Sequence, residues 1–256
     1  MSEERFSGKL GKEYNLVKLA YPHHDEFQEK LVEELDQHHG RWKNTSFHPH
    51  KQIVLEIGTG TGITTEQILR LTYFVHVDSI DNEPVMIAQA EEKLEKTKSS
   101  GKIENFYEIT CQDVRDYFYE ASVKPNFKQY DAVASAWTLH NLEQRERRDI
   151  YKGILHVLKP GGLFVNADKF GYNNEGYHYR TMIRQTKMIL ENLCKVGRTD
   201  LAVELVTHNL EDNHSNRVLK DEDTVAELTE IGFVDVKMTY RHLMEGVMVA
   251  KKPQRG

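Results

Sequence analysis

The segment 53-IVLEIGTGTGITTEQI-68 constrains this chain more than any other. A run of β-branched and apolar residues ends in three glycines spaced G-x-G-x-G, and a helix-forming sequence follows at once. Glycines at 58, 60 and 62 allow backbone conformations that a Cβ forbids and let a ligand come close to the main chain. The stretch 53-IVLEIG-58 is almost continuously apolar, as expected of a parallel strand covered on both faces. Such a strand–turn–helix, opening a series of β-α units, commits the chain to a doubly wound α/β sheet.

The alternation continues along the chain. A helix is expected at 63–72, a strand at 73–81, and a helix from Pro84 through 97, with proline in the first turn where its missing N–H costs nothing. Strands follow at 105–113 and 129–137, then a helix over 143–158 and a chain reversal at 159-KPGG-162. A fifth strand, 163–170, comes next. Residues 172–220 read as a helical insertion. A helix at 221–232 leads to strands at 233–243 and 246–252, whose short link suggests an antiparallel pair. Ahead of this core, residues 12–40 read as mostly helical, with Asp25 able to cap 25-DEFQEKLVEEL-35, and 41–52 as a polar, proline-bearing connection. The expectation is one domain: 1–50 as an N-terminal lid segment, 51–170 as the ligand-binding core, 171–220 as an insertion and 221–256 as the closing helix and strands.

Composition narrows the function classes. Charged residues make up 29% of the chain and the formal net charge is −6, so no basic surplus asks for nucleic acid. No apolar run approaches the length of a membrane span, the N-terminus lacks an apolar signal core, and the two cysteines, Cys111 and Cys194, show no metal-type spacing. A cytoplasmic protein is expected. The 13 histidines include pairs at His23/His24, His38/His39 and His48/His50, which read as scattered surface residues rather than metal ligands.

The glycine turn discriminates between ligands. The dinucleotide fingerprint G-x-G-x-x-G requires a third glycine at position 63, where this chain has Ile63. Glu56, just before the turn, would sit badly beside a pyrophosphate but suits a turn that handles a cationic amine and a sulfonium. Asp81 lies 21 residues after Gly60, where a carboxylate accepts hydrogen bonds from a ribose diol. Its alternative is a simple helix cap ahead of Pro84. Asp113, after the third strand, can read an exocyclic amine while Val114 packs on the ring. Three loops at the ends of three consecutive strands would then surround one ligand.

The order VLEIGTGTG, SIDNEPVMI, QDV, YDAVASAWTLHNL and LKPGGLFV resembles the class I S-adenosylmethionine-dependent methyltransferase family over roughly residues 50–170. The resemblance implies S-adenosyl-L-methionine as cofactor and a Rossmann-like seven-stranded doubly wound sheet with a C-terminal antiparallel hairpin, under a helical lid. It implies cofactor contacts from Glu56, Gly58, Thr59, Gly60, Asp81, Asn82, Asp113, Val114 and Ala136. Within that family IDNEPVMI, WTLHNLEQRERRDIYKGILHVLKPGG and ADKF are similar to carboxy-SAM synthases. Those synthases use an asparagine at the position of Ala136 and an arginine in the insertion.

Methyl transfer demands alignment and exclusion of water, with a general base only when the acceptor must lose a proton. His140 in 137-WTLHNL-142 is the candidate base, with packing or capping as its alternative. Tyr14, Tyr21, Trp137, Tyr172, Tyr177 and Tyr179 are candidates for lining an acceptor pocket, and Lys169 and His178 for contacting an anionic acceptor. The resulting expectation is methyl transfer to a small-molecule N, O or C acceptor. A carboxy-SAM synthase-like enzyme and a non-catalytic cofactor-binding protein remain alternatives, and the sequence leaves the oligomeric state open.

Overall fold

The computed structural model describes residues 9–40, 51–71, 75–101 and 105–254. Most of the expected connection 41–52, with His48 and His50, lies outside the described residues. The parallel core alternates strand and helix: β1 (Gln52–Ile57), α3 (Ile63–Leu69), β2 (Val75–Asp81), α4 (Pro84–Ser99), β3 (Phe106–Cys111), α5 (Val114–Val123), β4 (Tyr130–Ala136), α6 (Gln144–Val157) and β5 (Leu158–Gly171). Of these, α5 is a helix that the sequence reading did not name. Ahead of it come α1 (Lys9–Lys12), a 3-10 segment at Tyr14–Leu19 and α2 (His24–Gly40). After it come α7 (Glu175–Lys195), α8 (Thr199–Asp212), β6 (Leu219–Lys220), α9 (Asp221–Ile231), β7 (Val234–His242) and β8 (Glu245–Lys251).

The main sheet runs β3-β2-β1-β4-β5-β8-β7, with β8 antiparallel to both β5 and β7. Alternation along β1 sends Val54 into the apolar layer under α2, α3, α7 and α8. Leu55 and Ile57 enter the opposite layer under α5, α6 and α9. The chain builds outward from β1 to β3 and then returns to lay β4 beside β1. At that reversal the connections leave β1 and β4 in opposite directions, and a crevice opens beyond their carboxyl ends.

Two expectations are corrected. The sheet has eight strands rather than seven, because the two-residue β6 pairs in parallel with the end of β5. A strand so short carries no hydropathy period. The reversal expected at 159-KPGG-162 is an excursion inside one continuous strand. Tyr130 pairs with Leu158 and Ala132 with Leu163, so four residues bulge out between them, with Gly161 at φ +77°. No helix among the described residues is long and apolar enough to cross a membrane.

Arg147 fastens the return path of the chain. Its side chain is buried on α6, and Nη1 donates to the carbonyls of Leu142 (2.6 Å) and Arg217 (2.5 Å). It thereby ties the segment after β4 to the segment entering β6. These carbonyls lie in irregular backbone and have no strand or helix partner to replace the guanidinium. Arg147→Ala should cost about 2–4 kcal/mol of stability by leaving buried acceptors unpaired. Urea denaturation followed by circular dichroism checks this, and an unchanged midpoint would refute it.

Candidate functional site

A cavity of about 510 Å³ opens beyond the carboxyl ends of β1, β2, β3 and β4. Gly58, Thr59 and Gly60 line one wall, Asp81 and Asn82 another, Asp113 and Val114 a third, and Ala136 a fourth. Of the nine residues expected to contact the cofactor, eight therefore meet at this one space. The volume falls within the roughly 300–1,000 Å³ usual for small-molecule pockets.

The glycines serve different ends. Gly58 has φ +83°, and a Cβ there would stand 2.0 Å from Thr138 Oγ1, so the turn passes against the loop after β4 with no room to spare. Gly60 has φ +52° and a Cβ on it would find its nearest atom, Met86 Cε, at 3.7 Å. A side chain at Gly60 would take up space in the cavity rather than strike protein.

Asp81 links two of these loops. One carboxylate oxygen accepts from the Gly60 N–H at 2.8 Å and the other from the Glu83 N–H at 2.9 Å. Burial pushes its carboxyl up from the ordinary range while those N–H groups hold it down. Each oxygen retains a further lone pair for a hydroxyl donor.

Asp113 caps α5, accepting from the Arg115 N–H at 2.8 Å. The Arg115 guanidinium also grips it at both oxygens, which holds its carboxyl below the usual range. Arg115 itself lines the cavity and reaches Glu146 at 3.1 Å. Asp113 thus stands in the cavity as half of an ion pair, a partner that the sequence reading missed although it lies two residues on.

Glu56 does not line the cavity. It is fully buried beneath the turn, accepting from Thr65 Oγ1 at 2.6 Å and Ser79 Oγ at 2.7 Å, while Ser79 and Thr59 share a 2.6 Å hydrogen bond. Its carboxylate braces the turn from below instead of meeting a ligand directly. Burial pushes the carboxyl up to about 7, against the two hydroxyl donors.

His140 does not line the cavity either. It sits behind Trp137, with Nδ1 at 2.5 Å from Asp168 Oδ1 and Nε2 at 3.5 Å from Asp212 Oδ2. An imidazole with both nitrogens turned to carboxylates is not placed to take a proton at the cavity, so this arrangement does not supply the expected base. Lys169, with its side chain 10% exposed, bonds Asp212 at 2.7 Å and is not presented to the cavity. Burial pushes the nearby Glu245 carboxyl up to about 8.

The aromatic candidates divide. Tyr14 and Trp137 line the cavity, and Trp137 packs against Tyr21 at 5.0 Å and Phe27 at 5.5 Å. Trp137 holds φ +47°, an uncommon conformation for a bulky residue, at the mouth of β4. Tyr172 lies against Arg241 (3.9 Å), and Tyr177 and Tyr179 are exposed on α7. His178 packs at Gly171. The N-terminal segment covers the cavity through two bonds missed in the sequence: Thr61 to Asn15 at 2.9 Å and Thr64 to Gln28 at 2.7 Å.

Glu56 makes a pH prediction. A carboxyl raised in the folded state keeps its proton after the unfolded chain has lost its own. The stability it contributes is therefore complete below about pH 4.5 and is lost as pH rises through about 7. Glu56→Gln, which mimics the protonated form, should remove on the order of 2–3 kcal/mol of that decline. Denaturant midpoints of both proteins between pH 5 and 8 check this, and parallel profiles would refute it.

Residues 54–162 match a family model described as a methyltransferase domain. The chain is 28% identical over 160 residues to a malonyl-[acyl-carrier protein] O-methyltransferase of Bacillus anthracis, covering 61% of this chain and 51% of that one. It is 22% identical over 217 residues to a carboxy-S-adenosyl-L-methionine synthase of Helicobacter hepaticus, covering 78% and 76%. Among solved structures, the DszA carbon methyltransferase aligns with a TM-score of 0.60 at 16% identity, over 90% of this chain and 55% of that one. The CurJ carbon methyltransferase aligns at 0.55 and 20% identity, over 82% and 50%. The chain thus spans about half the length of the first of these relatives and of both solved structures. Residues 54–162 thus match a methyltransferase domain, and the chain shares the fold of solved methyltransferases.

Proposed function

We propose that the protein is an S-adenosylmethionine-dependent methyltransferase that transfers a methyl group to a small-molecule N, O or C acceptor. The observation that carries this reading is the convergence of three strand-end loops on one cavity, with Asp81 bonded across to Gly60. The site fits the cofactor by the chemistry of its lining. Gly60 leaves a cradle that a side chain would fill, Asp81 offers lone pairs to a ribose diol, and Val114 and Met86 offer apolar surface to a purine. Asp113 and Asn82 supply polar groups at the rim.

Bound there, S-adenosylmethionine would supply a methyl group already activated on a sulfonium. The protein's own part is alignment and exclusion of water. Trp137, fixed by Phe27 and Tyr21, forms a rigid wall between the cavity and the space under the lid. Asn15 and Gln28 hold the N-terminal segment down on the glycine turn and helix α3, shielding the cavity from that side. His140 supports the loop from beneath as a positioning residue, through its backbone and side-chain bonds to Asp168.

The similarity to carboxy-S-adenosyl-L-methionine synthases supports a second reading, in which the cofactor itself is modified. Against it stands Ala136, which brings a methyl group to the cavity wall where those synthases use an asparagine. Calorimetric titration with S-adenosylmethionine, S-adenosylhomocysteine and NAD, with mass spectrometry of any co-purified nucleoside, tests both. Binding of the adenosyl ligands without NAD is expected. A carboxylated sulfonium would favour the synthase, and folded protein that binds neither adenosyl ligand would favour a non-catalytic role. Asp81→Ala should weaken S-adenosylmethionine binding by about 1–3 kcal/mol, the usual cost of unmatched buried hydrogen bonds. Unchanged affinity in the folded variant would show that the ribose lies elsewhere.

A further inference from the structure

Behind Trp137, polar groups collect, of which His208 and Asp212 have no part in methyl transfer as described. Helix α8 carries His208 and Asp212 four residues apart, hence on one face. The loop after β4 brings His140 up to them. One ligand atom from each of the three lies within 4.8 Å of the others, and all three residues are buried. We propose that His140, His208 and Asp212 form a binding site for one divalent first-row transition-metal ion.

The donor set is two imidazole nitrogens and one carboxylate, which suits zinc, iron or cobalt better than magnesium or calcium. Both imidazoles converge on Asp212 Oδ2, with Nε2 of His140 at 3.5 Å and Nε2 of His208 at 3.9 Å. Donors sharing a metal at about 2.0–2.2 Å stand roughly 3.3 Å apart, so small inward shifts complete the site. Asp168 engages His140 from the far side, with its oxygens at 2.5 Å from Nδ1 and 3.1 Å from the backbone N–H. A carboxylate on the outer nitrogen fixes the ring and leaves Nε2 as the ligand atom.

Two further observations show unmet acceptors and room for an occupant beside the three ligands. Asn209 Oδ1 and Asn213 Oδ1 are buried with no hydrogen-bond partner, while their amide nitrogens are spent on Thr186 Oγ1 (3.3 Å) and the Asn209 carbonyl (2.7 Å). Both asparagines border a void of about 10 Å³ beside His140 and Asp212. A second void, about 20 Å³, lies between His140, His208 and Tyr21, large enough for one water-sized species. The Lys169 ammonium rests on the same Asp212 oxygen at 2.7 Å, so this point already holds positive charge. Metal binding requires Lys169 to release that oxygen.

Tyr14 and Trp137 border both the large cavity and the 20 Å³ void. If the methyl-transfer reading holds, on which this one step rests, an open metal position would meet an acceptor oxygen there and favour its ionised form.

The test is independent of cofactor and activity. Metal-stripped full-length protein is titrated with Co²⁺, read by visible absorption, and with Zn²⁺ by calorimetry. One saturable equivalent is expected. His208→Ala should weaken binding at least about tenfold, and Asp168→Asn should weaken it roughly 10–100-fold. Lys169→Met, which removes the competing cation, should tighten it. His208→Asn serves where the alanine variant fails to fold by circular dichroism. Folded wild type that binds no metal would overturn the proposal. So would equal binding by the folded His208 variant, which would place the ion on the surface histidines, or a Lys169→Met protein that binds no tighter than wild type. None of these outcomes touches the cofactor assignment.

Discussion

The carboxylate of Asp81 takes the Gly60 N–H on one oxygen and the Glu83 N–H on the other, and so ties the ends of two neighbouring strands together. The turn after β1 has no regular secondary structure to hold it. Gly58 and Gly60 both occupy left-handed conformations, and Gly58 is pressed against Thr138. A turn of this kind keeps its shape only when its amides have fixed acceptors. Asp81 supplies one from the front, and the buried Glu56–Thr65–Ser79–Thr59 hydrogen bonds stabilise the turn from behind. Loss of either would leave backbone amides or a carboxylate without partners, and the cavity would lose its shape.

The N-terminal segment depends on the same turn. Thr61 and Thr64, one in the turn and one in the helix it opens, bond Asn15 and Gln28 of the N-terminal segment. The N-terminal segment's seat on the cavity is therefore built onto the strand-end geometry. Trp137 is the other fixed point, since its ring fills the space between α2 and the mouth of β4. Its left-handed backbone persists because Tyr21, Phe27 and His24 pack round the side chain. Beyond it lies a cluster in which His140 faces Asp168 and Asp212 and the Lys169 ammonium rests on Asp212.

Much of the fold was legible because its signals are local. The strand before the glycine turn, the proline opening α4 and the final hairpin each follow from a few consecutive residues. The site residues Gly58, Thr59, Gly60, Asp81, Asn82 and Val114 sit at strand ends whose positions the alternation already implied. Glu56 reads differently in three dimensions because its register points it under the turn, where two hydroxyls meet it. Asp113 was legible as a strand-end carboxylate, but its ion pair with Arg115 depends on rotamers that spacing does not specify. The excursion at 159–162 looks like a reversal because proline and glycine mark bulges and turns alike.

The chain's residue order dictated the doubly wound sheet and the crevice at its switch point, through hydrophobic period and the succession of strand, turn and helix. It also determined which loops meet there, since parallel connections admit one handedness. What stands behind the cavity follows from packing in three dimensions. His140 meets Asp168 across 28 residues, and Lys169 meets Asp212 across 43. The first pair is set by the loop after β4 folding back on β5 and the second by how α8 packs over the sheet, and no local pattern encodes either.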